Sequence, residues 1–369
     1  MSSVIFIASR ISHILNFHMP YIEHFKQRGY SIHIAAQGAG DDPRFDKAFD
    51  IKFTKKPWSP DNIKAIFKLK KILCENNYEL VCSNTTLAGA AAKAAAMLCP
   101  RKNKPRLFVH ISHGYMFDSS HALRPTVYRT VEKLTKRAVD RLVVMNDEDL
   151  HLAEKYRLCR DIHFIHGMGL DVNRFPDVSD DMINNFRRKY CTDSNTKLLL
   201  CIGELSARKN QQMLIRVAAR LKDRNIKLLL AGDGDKKTEL QSLAATLGCQ
   251  DKVCFLGYRT DTPLLYRGSD ILLSASTMEG LPFNVLEALY CGLPVCLSDI
   301  KGHRDLVKSC GCGELFSLDD DSLVKTLLHF TDDAVFYSKQ KESTALSKVF
   351  YLDSVKPVLI PILENKEIM

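Results

Sequence analysis

The sequence lacks the features that mark membrane-spanning, fibrous or disordered proteins. It has one tryptophan in 369 residues, and no apolar stretch approaches the ~18–20 residues that a membrane-spanning helix needs. It shows no low-complexity segment and no short repeat, which excludes collagen-like, coiled-coil and disordered classes. The apolar fraction is 46% and the charged fraction 26%. A chain of this length and composition is expected to form two globular domains.

Signals of secretion and of disulfide bonding are also missing. No basic residues precede the first apolar run, residues 4–8, so we expect a first strand there rather than a signal peptide. Several of the 12 cysteines lie inside apolar runs, where they are expected to be small buried side chains. Cys310 and Cys312 form a close pair, but no second Cys or His pair completes a zinc site. A reducing, cytoplasmic location is therefore expected.

Acidic residues are too few in the first half to balance the basic ones. Residues 1–178 hold 27 Lys and Arg against 18 Asp and Glu, so the whole formal charge of +9 lies there. A one-sided basic surface suits an anionic partner such as nucleic acid, an anionic membrane leaflet or a phosphorylated substrate. A solvated, lysine-rich surface would have the same composition, and the count alone leaves both interpretations open.

Short apolar runs alternate with longer amphipathic stretches in both halves, and a turn-rich break separates the halves at residues 166–176. This alternation predicts an α/β protein with two doubly wound domains that face each other. Ligands of such sheets bind beyond the carboxyl ends of the strands, which points to the cleft between the domains. The predicted strands are residues 4–8, 31–36, 80–82, 107–111, 141–145, 162–165, 197–202, 227–231, 253–255, 271–274 and 294–298. The predicted helices are residues 20–28, 62–76, 87–98, 125–138, 148–156, 211–224, 237–247, 263–267, 282–291 and 303–307.

The stretch 271–307 carries the most specific chemical signal. A strand runs into a loop that contains Glu279 and then into a helix that contains Glu287. The helix N-terminus favours an anion because its backbone N–H groups are free. Two separated carboxylates can hold hydroxyls on two parts of one ligand, with a phosphate between them. A dipole-stabilised glutamate plus a surface glutamate would produce the same pattern.

Two further loops add to this signal. The strand at 197–202 leads into a loop that delivers Arg208 and Lys209 just before a helix, and both cations suit phosphate. The strand at 227–231 runs into a Gly-Asp-Gly turn at 232–234. An Arg-Lys pair is often only a solvated pair, and a lone Gly-x-Gly is weak evidence.

In this order and spacing, the three features resemble the retaining nucleotide-sugar glycosyltransferases of family four, which have the GT-B architecture. The likeness covers nearly the whole chain and is greatest to bacterial enzymes that build capsule, O-antigen and exopolysaccharide units. Its most specific element is segment 279–288, which matches the family's Glu-x7-Glu motif. Further matches lie at residues 166–175, 232–234, 253–257, 292–295 and 298–304.

The resemblance implies roles for individual residues. Glu287 would hydrogen-bond the ribose, Glu279 would hold the donor sugar and diphosphate, and Lys209 would neutralise the diphosphate. The family usually carries an arginine where this chain has Glu204, so Arg208 is the candidate substitute. The implied catalytic residues are Glu279, His113 and Lys209. The implied donor-binding residues are Gly203, Arg208, Lys209, Gly280, Leu281, Pro282, Phe283 and Glu287.

In the first half, His113 follows the strand at 107–111, and by resemblance it would contact the transferred sugar. His110 lies within that strand and is expected to be a core residue. The loop at residues 9–20 lacks the Gly-Gly of many relatives, and it either faces the acceptor or begins a helix. Residues 83–86 end another strand and are a second candidate lining of the cleft.

A basic patch in the first half is a candidate contact with anionic lipid. The alternative is a solvated helix face. The patch comprises Lys52, Lys55, Lys56, Trp58, Lys64, Lys68, Lys70 and Lys71.

The resemblance implies a GT-B fold of two Rossmann-like domains. Residues 1–170 would bind the acceptor and residues 171–349 the nucleotide-sugar donor, and a helix at about 350–369 would cross back to the first domain. The implied reaction moves a hexose or N-acetylhexosamine from a nucleotide-diphospho-sugar, with UDP favoured, to a glycan acceptor linked to polyprenyl diphosphate. This would occur at the inner face of the cytoplasmic membrane. No metal is expected, because Asp233 and Asp235 lie in the glycine turn rather than in a metal-binding Asp-x-Asp context.

Two alternatives remain open from the sequence. A GT-B nucleotide-sugar epimerase would share the architecture, although the Glu279…Glu287 motif argues against it. A nonenzymatic anion-binding protein would use the basic half and would bind nucleic acid in a steeply salt-dependent way. No recognition motif for nucleic acid is visible, so we expect no nucleic-acid partner.

Overall fold

A computed structural model describes residues 2–54, 59–115, 124–191, 193–311, 313–332, 335–336 and 347–364. The chain divides into two compact units. The first unit comprises Met1–Gly169 with Leu352–Met369, and the second comprises Leu170–Tyr351. The first unit carries the whole formal excess of +9, and the second is neutral.

Among the described residues of the first unit, seven parallel strands form one sheet in the order β3-β2-β1-β4-β5-β6-β7. The winding direction reverses between β1 and β4, and the carboxyl ends of these strands form the switch point where α/β proteins bind ligands. The strands are β1 (Ser3–Arg10), β2 (Ser31–Gln37), β3 (Lys47–Asp50), β4 (Tyr78–Asn84), β5 (Leu107–Ile111), β6 (Arg141–Val144) and β7 (Asp161–Phe164).

Helices of the first unit connect these strands. Alanines of the fourth helix allow it to pack closely on the third helix and on β1, with Leu69, Ala92 and Phe108 in one buried cluster. The helices are α1 (Ile11–Phe17), α2 (Met19–Gln27), α3 (Pro60–Glu75), α4 (Thr86–Met97), α5 (Arg124–Thr135) and α6 (Asp147–Lys155), with short 3-10 turns at Arg101–Asn103 and Lys136–Ala138.

The described part of the second unit has a six-stranded parallel sheet in the order β10-β9-β8-β11-β12-β13, with its switch point between β8 and β11. The strands are β8 (Lys197–Ile202), β9 (Ile226–Ala231), β10 (Val253–Gly257), β11 (Ile271–Ser274), β12 (Val295–Ser298) and β13 (Gly313–Phe316). The helices are α7 (Asp180–Tyr190), α8 (Gln211–Arg220), α9 (Lys237–Thr246), α10 (Thr262–Gly268), α11 (Phe283–Tyr290), α12 (His303–Cys310) and α13 (Asp320–Phe330), with 3-10 turns at Val172–Arg174 and Lys348–Phe350.

The last helix, α14 (Leu352–Leu363), belongs to the first unit. Its side chains Leu359 and Ile362 are fully buried. Arg141 of β6 donates to the carbonyl oxygen of Ile362 at 2.8 Å, and Glu364 accepts from His24 at 2.8 Å. The expected return of the C-terminal helix is therefore confirmed.

The predicted α/β alternation is confirmed, but several elements were missed. The segment at residues 9–20, for which a helix start was one of two alternatives, mostly forms α1 and the start of α2. The polar stretch before β8 contains α7, which was not predicted. The edge strands β3 and β13, and helix α13, were also not predicted. Strand β3 begins with Lys47 and ends with Asp50, and β13 begins with Gly313 and Glu314, so neither is a continuous apolar run.

No helix in the described part of the chain is both long and apolar enough to cross a bilayer. Ten cysteines with described side chains are free thiols, in agreement with the expectation of small, unpaired side chains. The side chains of Cys310 and Cys312, and all of Lys55, Lys56 and Trp58, lie outside the described residues.

Candidate active site

The candidate donor site lies at the switch point of the second unit, where two loops leave the carboxyl ends of β8 and β11. The Thr277 amide and hydroxyl both donate to the carbonyl oxygen of Arg208, at 2.9 and 3.2 Å. The Asn284 side chain donates to the carbonyl oxygen of Ile202 at 3.0 Å. These bonds fix the two loops side by side, although the bonded residues are 69 and 82 positions apart in the sequence.

The two loops assemble an ion cluster from three of the predicted site residues. Glu279 Oε1 lies 2.7 Å from Arg208 Nη1 and 2.8 Å from Lys209 Nζ. Arg208 Nη1 also donates to the carbonyl oxygen of Met278 at 3.0 Å. The Glu279 and Lys209 side chains are only 11% and 12% exposed, whereas that of Arg208 is 45% exposed. Two cations share one carboxylate, so the cluster keeps a net positive charge.

The ion pairs keep Glu279 ionised in spite of its burial. Burial alone would raise the pKa of Glu279, but Lys209 and Arg208 stabilise the carboxylate and hold its pKa below the ordinary value. Glu279 is therefore an anion at neutral pH, and its carboxylate can accept hydrogen bonds from sugar hydroxyls.

His303 stands beside this cluster and was not singled out from the sequence. It is fully buried, and its Nδ1 lies 2.9 Å from the carbonyl oxygen of Ser298. Burial lowers the pKa of His303 to about 4, and the charges of Glu279 and Lys209 act on it in opposite directions. If Nδ1 donates to that carbonyl, the buried Nε2 is an acceptor, and it has no hydrogen-bond partner among the described residues. The family resemblance at residues 298–304, which includes His303, was the sequence signal that could have identified this residue.

Glycines let the loops of this site approach each other backbone to backbone. A Cβ on Gly302, where φ is +78°, would lie 2.1 Å from the carbonyl oxygen of Gly280. A Cβ on Gly232 would lie 1.9 Å from the carbonyl oxygen of Gly203. At Gly203 itself, a Cβ would come within 3.2 Å of Lys209 Cε, so this glycine leaves room for the lysine side chain. The Gly-Asp-Gly turn therefore acts through packing.

Residues 280–283 lead into α11 as the sequence predicted, with one difference. Pro282 is the extended residue before the helix, not its first turn, and the helix begins at Phe283. Gly280 is buried, and Leu281 packs at the edge of the second unit's core. Since proline has no N–H group, any backbone amide of this segment that binds an anion belongs to one of the other three residues.

Glu287 lies in α11 with a partner of its own. The hydroxyl of the fully buried Tyr266 donates to Glu287 Oε2 at 2.7 Å. Burial raises the pKa of Glu287, and the Tyr266 bond and the charge of Arg174 oppose this shift. Tyr266 thus orients the carboxylate that the sequence assigned to ribose, and no sequence signal had pointed to this tyrosine.

In the first unit, His113 meets another histidine that the sequence placed in a loop. Its Nε2 lies 3.1 Å from Nε2 of His13, which is 100 residues away in the chain and belongs to α1. Burial lowers the pKa of His13 to about 4 and holds that of His113 well below its ordinary value. Both rings are therefore neutral at pH 7.

Other polar side chains of this unit hydrogen-bond to one another. His110 Nδ1 lies 2.9 Å from Ser83 Oγ, and a Cβ at Gly89 would come within 2.3 Å of its ring. His110 is thus a packed core residue, as the sequence favoured. At the first unit's switch point, the Ser9 and Thr85 hydroxyl oxygens are 2.7 Å apart, and Thr85 adopts a φ of +65°.

Comparisons with known proteins agree with this architecture. The family described as Glycosyltransferase Family 4 matches residues 21–174, and the family described as Glycosyl transferases group 1 matches residues 182–345. EpsD of Bacillus subtilis (strain 168), a protein assigned as a glycosyltransferase, is 32% identical over 323 residues, which are 86% of this chain and 84% of EpsD.

An enzyme whose name gives its substrates and a solved structure with bound UDP are also similar to this chain. The UDP-Gal:alpha-D-GlcNAc-diphosphoundecaprenol alpha-1,3-galactosyltransferase of Escherichia coli is 26% identical over 325 residues, covering 83% of this chain and 81% of that enzyme. The crystal structure of HepE from Anabaena, in complex with UDP and glucose, has a TM-score of 0.75 at 19% identity. It covers 99% of this chain and 100% of HepE, which shows that the two folds are the same.

The family matches fall on both halves of the chain, and the similarity to EpsD extends over most of both proteins. Both sheets of this chain are parallel, and the chain shares the fold of HepE. The chain therefore belongs to glycosyltransferase family four, and it is a GT-B enzyme that uses a nucleotide-sugar donor.

Proposed function

We propose that this glycosyltransferase moves a hexose or N-acetylhexosamine from a UDP-sugar to a glycan acceptor linked to polyprenyl diphosphate, with retention at the anomeric carbon. The donor-binding part of this proposal rests on the ion cluster of Glu279, Lys209 and Arg208, in which Glu279 and Lys209 are largely buried. The UDP and lipid-diphosphate parts are supported by the name of the Escherichia coli relative and by the UDP bound in HepE.

Charge at the cluster suits a nucleoside diphosphate. Glu279 holds Lys209 and Arg208 in place before the donor binds, so their positions need little rearrangement when the diphosphate arrives. The diphosphate then becomes a second anionic partner for the two cations. Glu279 is left to accept hydrogen bonds from hydroxyls of the donor sugar, and Glu287, oriented by Tyr266, from those of the ribose.

The chemical step is electrostatically assisted. The acceptor hydroxyl oxygen bonds to the anomeric carbon as the bond from that carbon to the diphosphate oxygen breaks. The hydroxyl proton passes to the departing diphosphate on the same face of the sugar, so no protein base is assigned. Lys209 and Arg208 stabilise the negative charge that develops on the leaving group. His113, which is neutral, would accept a hydrogen bond from the transferred sugar or donate one to it.

Transfer by this arrangement requires no resident metal ion. Lys209 and Arg208 supply the positive charge that a divalent cation supplies in other transferases. Asp233 is used locally, since its carboxylate accepts the Gly234 N–H at 2.9 Å and lies 3.5 Å from Lys237. The turn at 232–234 is therefore assigned to packing and not to a metal.

An assay with a panel of UDP-sugars and a polyprenyl-diphosphate-linked glycan tests this function. We expect UDP release that depends on the acceptor, and a fall of about 100-fold or more in kcat/KM for Glu279→Gln. Glu239→Gln, a change at an exposed glutamate of the same unit, is the matched control. Normal turnover by Glu279→Gln would remove Glu279 from the mechanism. Epimerised donor formed without acceptor would instead identify an epimerase.

The acceptor side of the proposal includes contact with an anionic membrane. Ile63 and Phe67 of helix α3 are apolar side chains, yet they are 53% and 58% exposed. Lys64, Lys68 and Lys71 are also exposed on this helix. An exposed apolar pair flanked by lysines, on the unit that carries all the excess positive charge, suits the interface of an anionic leaflet.

Sedimentation with phosphatidylglycerol-containing vesicles tests this contact. Phe67→Ser should weaken binding by about tenfold, because a phenylalanine loses its burial in the interface. Tyr258→Ser, which alters an aromatic side chain that is 79% exposed on the neutral unit, should have no effect. Equal binding of all three proteins, or equal binding to phosphatidylcholine vesicles, would favour a solvated helix face.

A further inference from the structure

Three histidines of the first unit gather into one cluster. His13 lies on α1, His18 follows that helix directly, and His113 follows β5. One nitrogen from each ring can be chosen so that all three lie within 4.8 Å of one another. Ring centroids are 4.3 Å apart for His13 and His113, and 5.3 Å apart for His13 and His18. Among the described residues, no other group of three metal-binding side chains converges in this way.

His18 has an unsatisfied nitrogen in this cluster. The side chain is 1% exposed, and its Nε2 has no hydrogen-bond partner among the described residues. A buried polar atom without a partner is rare, because burial removes its bond to water and nothing replaces that bond. Phe6 packs against the ring at a centroid distance of 6.1 Å and closes one side of the site to water.

The spacing matches that of ligands around one metal ion. Zinc–nitrogen bonds of 2.0–2.1 Å in a tetrahedral site place neighbouring ligand nitrogens roughly 3.3 Å apart. The Nε2 atoms of His13 and His113 are already 3.1 Å apart, and the His18 nitrogen, which lies within 4.8 Å of a nitrogen of each of the other two rings, would have to move closer on binding. His13 and His113 are partly exposed as residues, whereas His18 is buried, so an ion would enter from the side of His13 and His113.

We infer that His13, His18 and His113 form a binding site for a first-row transition-metal ion such as Zn²⁺, with a fourth position open to solvent. Three imidazoles without a carboxylate select zinc, copper or nickel over magnesium and calcium, which prefer oxygen ligands. The ion is not a cofactor for transfer. It occupies the nitrogen of His113 and thereby inhibits the enzyme, a consequence that rests on the proposed contact of His113 with the sugar.

Titration calorimetry with Zn²⁺ tests the site directly. The full-length protein is freed of any histidine tag and stripped with EDTA. We expect one ion per chain, and a loss of affinity of about 100-fold or more in His13→Ala, since even outer contacts of a metal site contribute 10–100-fold. His18→Gln should lose Zn²⁺ affinity to a similar degree if it folds. If it does not fold, the affinity of His13→Ala alone tests the site. His151→Ala, at an exposed histidine, is the control.

Visible spectroscopy with Co²⁺ tests the geometry of the same site. Co²⁺ bound to the wild type should show the visible bands of four-coordinate cobalt, and His13→Ala should not show them.

The metal site and the inhibition of sugar transfer can be tested independently of each other. Zn²⁺ should inhibit sugar transfer by the wild type, and the inhibitory concentration should rise about 100-fold in His13→Ala. Absence of stoichiometric binding, or binding that His13→Ala leaves unchanged, overturns the metal site whatever the enzyme's activity. Binding that depends on His13 in a protein without transferase activity would retain the metal site and reject the proposed function instead.

Discussion

At the scale of single residues, burial separates the two cations that contact Glu279. The Lys209 side chain is 12% exposed and packs over Gly203. The Arg208 side chain is 45% exposed and also donates a hydrogen bond to the backbone carbonyl of Met278. A charge surrounded by protein interacts more strongly with a nearby anion than one screened by water. Lys209 should therefore stabilise the leaving diphosphate more than Arg208 does, although both reach the same carboxylate oxygen.

Alanine substitutions measure this difference. Lys209→Ala should lower kcat by about 100–1000-fold, and Arg208→Ala by only about tenfold, in steady-state assays with saturating donor. Lys237→Ala removes a more exposed lysine at the start of α9 and should leave kcat unchanged. If Arg208→Ala were the more damaging change, the principal phosphate contact would belong to Arg208, in place of the arginine that Glu204 replaces.

At the scale of elements, the site depends on how closely the turn before α12 approaches the loop before α11. Gly302 is the last residue of that turn, and it touches the backbone at Gly280. Loops that contact each other through their backbones cannot accommodate a side chain at the point of contact. The position of the loop that carries Glu279 is therefore set partly by a glycine, which has no side chain to join the ion cluster.

Gly302→Ala tests this coupling, with Gly248→Ala as its matched control. Both glycines have positive φ, so both substitutions should cost about 1 kcal/mol of stability from backbone strain. Only the Cβ at Gly302 meets backbone, whereas Gly248 has open space around it. We expect kcat/KM to fall about 100-fold in Gly302→Ala and to stay near wild type in Gly248→Ala. Equal kinetics in the two variants would show that the loop adapts.

At the scale of the whole molecule, the first unit is built from both ends of the chain. Helix α14 is separated from the rest of that unit by the entire second unit, yet its apolar side chains lie in the first unit's core. The ion pair of Glu364 with Arg28, at 2.8 Å, and the Arg141 bonds hold its C-terminal end. The stability of the first unit should thus depend on residues near the C-terminus.

Leu359→Ala and Val358→Ala compare adjacent positions on this helix. Leu359 is fully buried and Val358 is 39% exposed. Leu359→Ala should destabilise the first unit by about 2–5 kcal/mol, and Val358→Ala by much less. Calorimetry, together with hydrogen exchange at β6, measures the effect and assigns it to a unit. An unchanged unfolding transition in Leu359→Ala would mean that α14 contributes little to the first unit's core.

Local patterns explain which predictions from the sequence were successful. Strands β5, β8 and β11 were predicted with their observed bounds, because each is a short apolar run bordered by turn residues. Helix α7 was missed because most of its residues are polar and it buries only Phe186 and Tyr190. The exposure of Phe67 could not be foreseen, since helical periodicity does not reveal which apolar positions find a partner.

The sequence by itself determined the alternation of strands and helices, the glycine turns and the Glu-x7-Glu segment, because these are patterns of neighbouring residues. Only the tertiary structure decided which of these segments meet. Parallel strands that are neighbours in a sheet need not be neighbours in the chain, so the pairing of β8 with β11 brings Lys209 and Arg208 to Glu279. The same physical reason applies to His13 and His113, whose contact depends on how α1 and the end of β5 are placed by the first sheet.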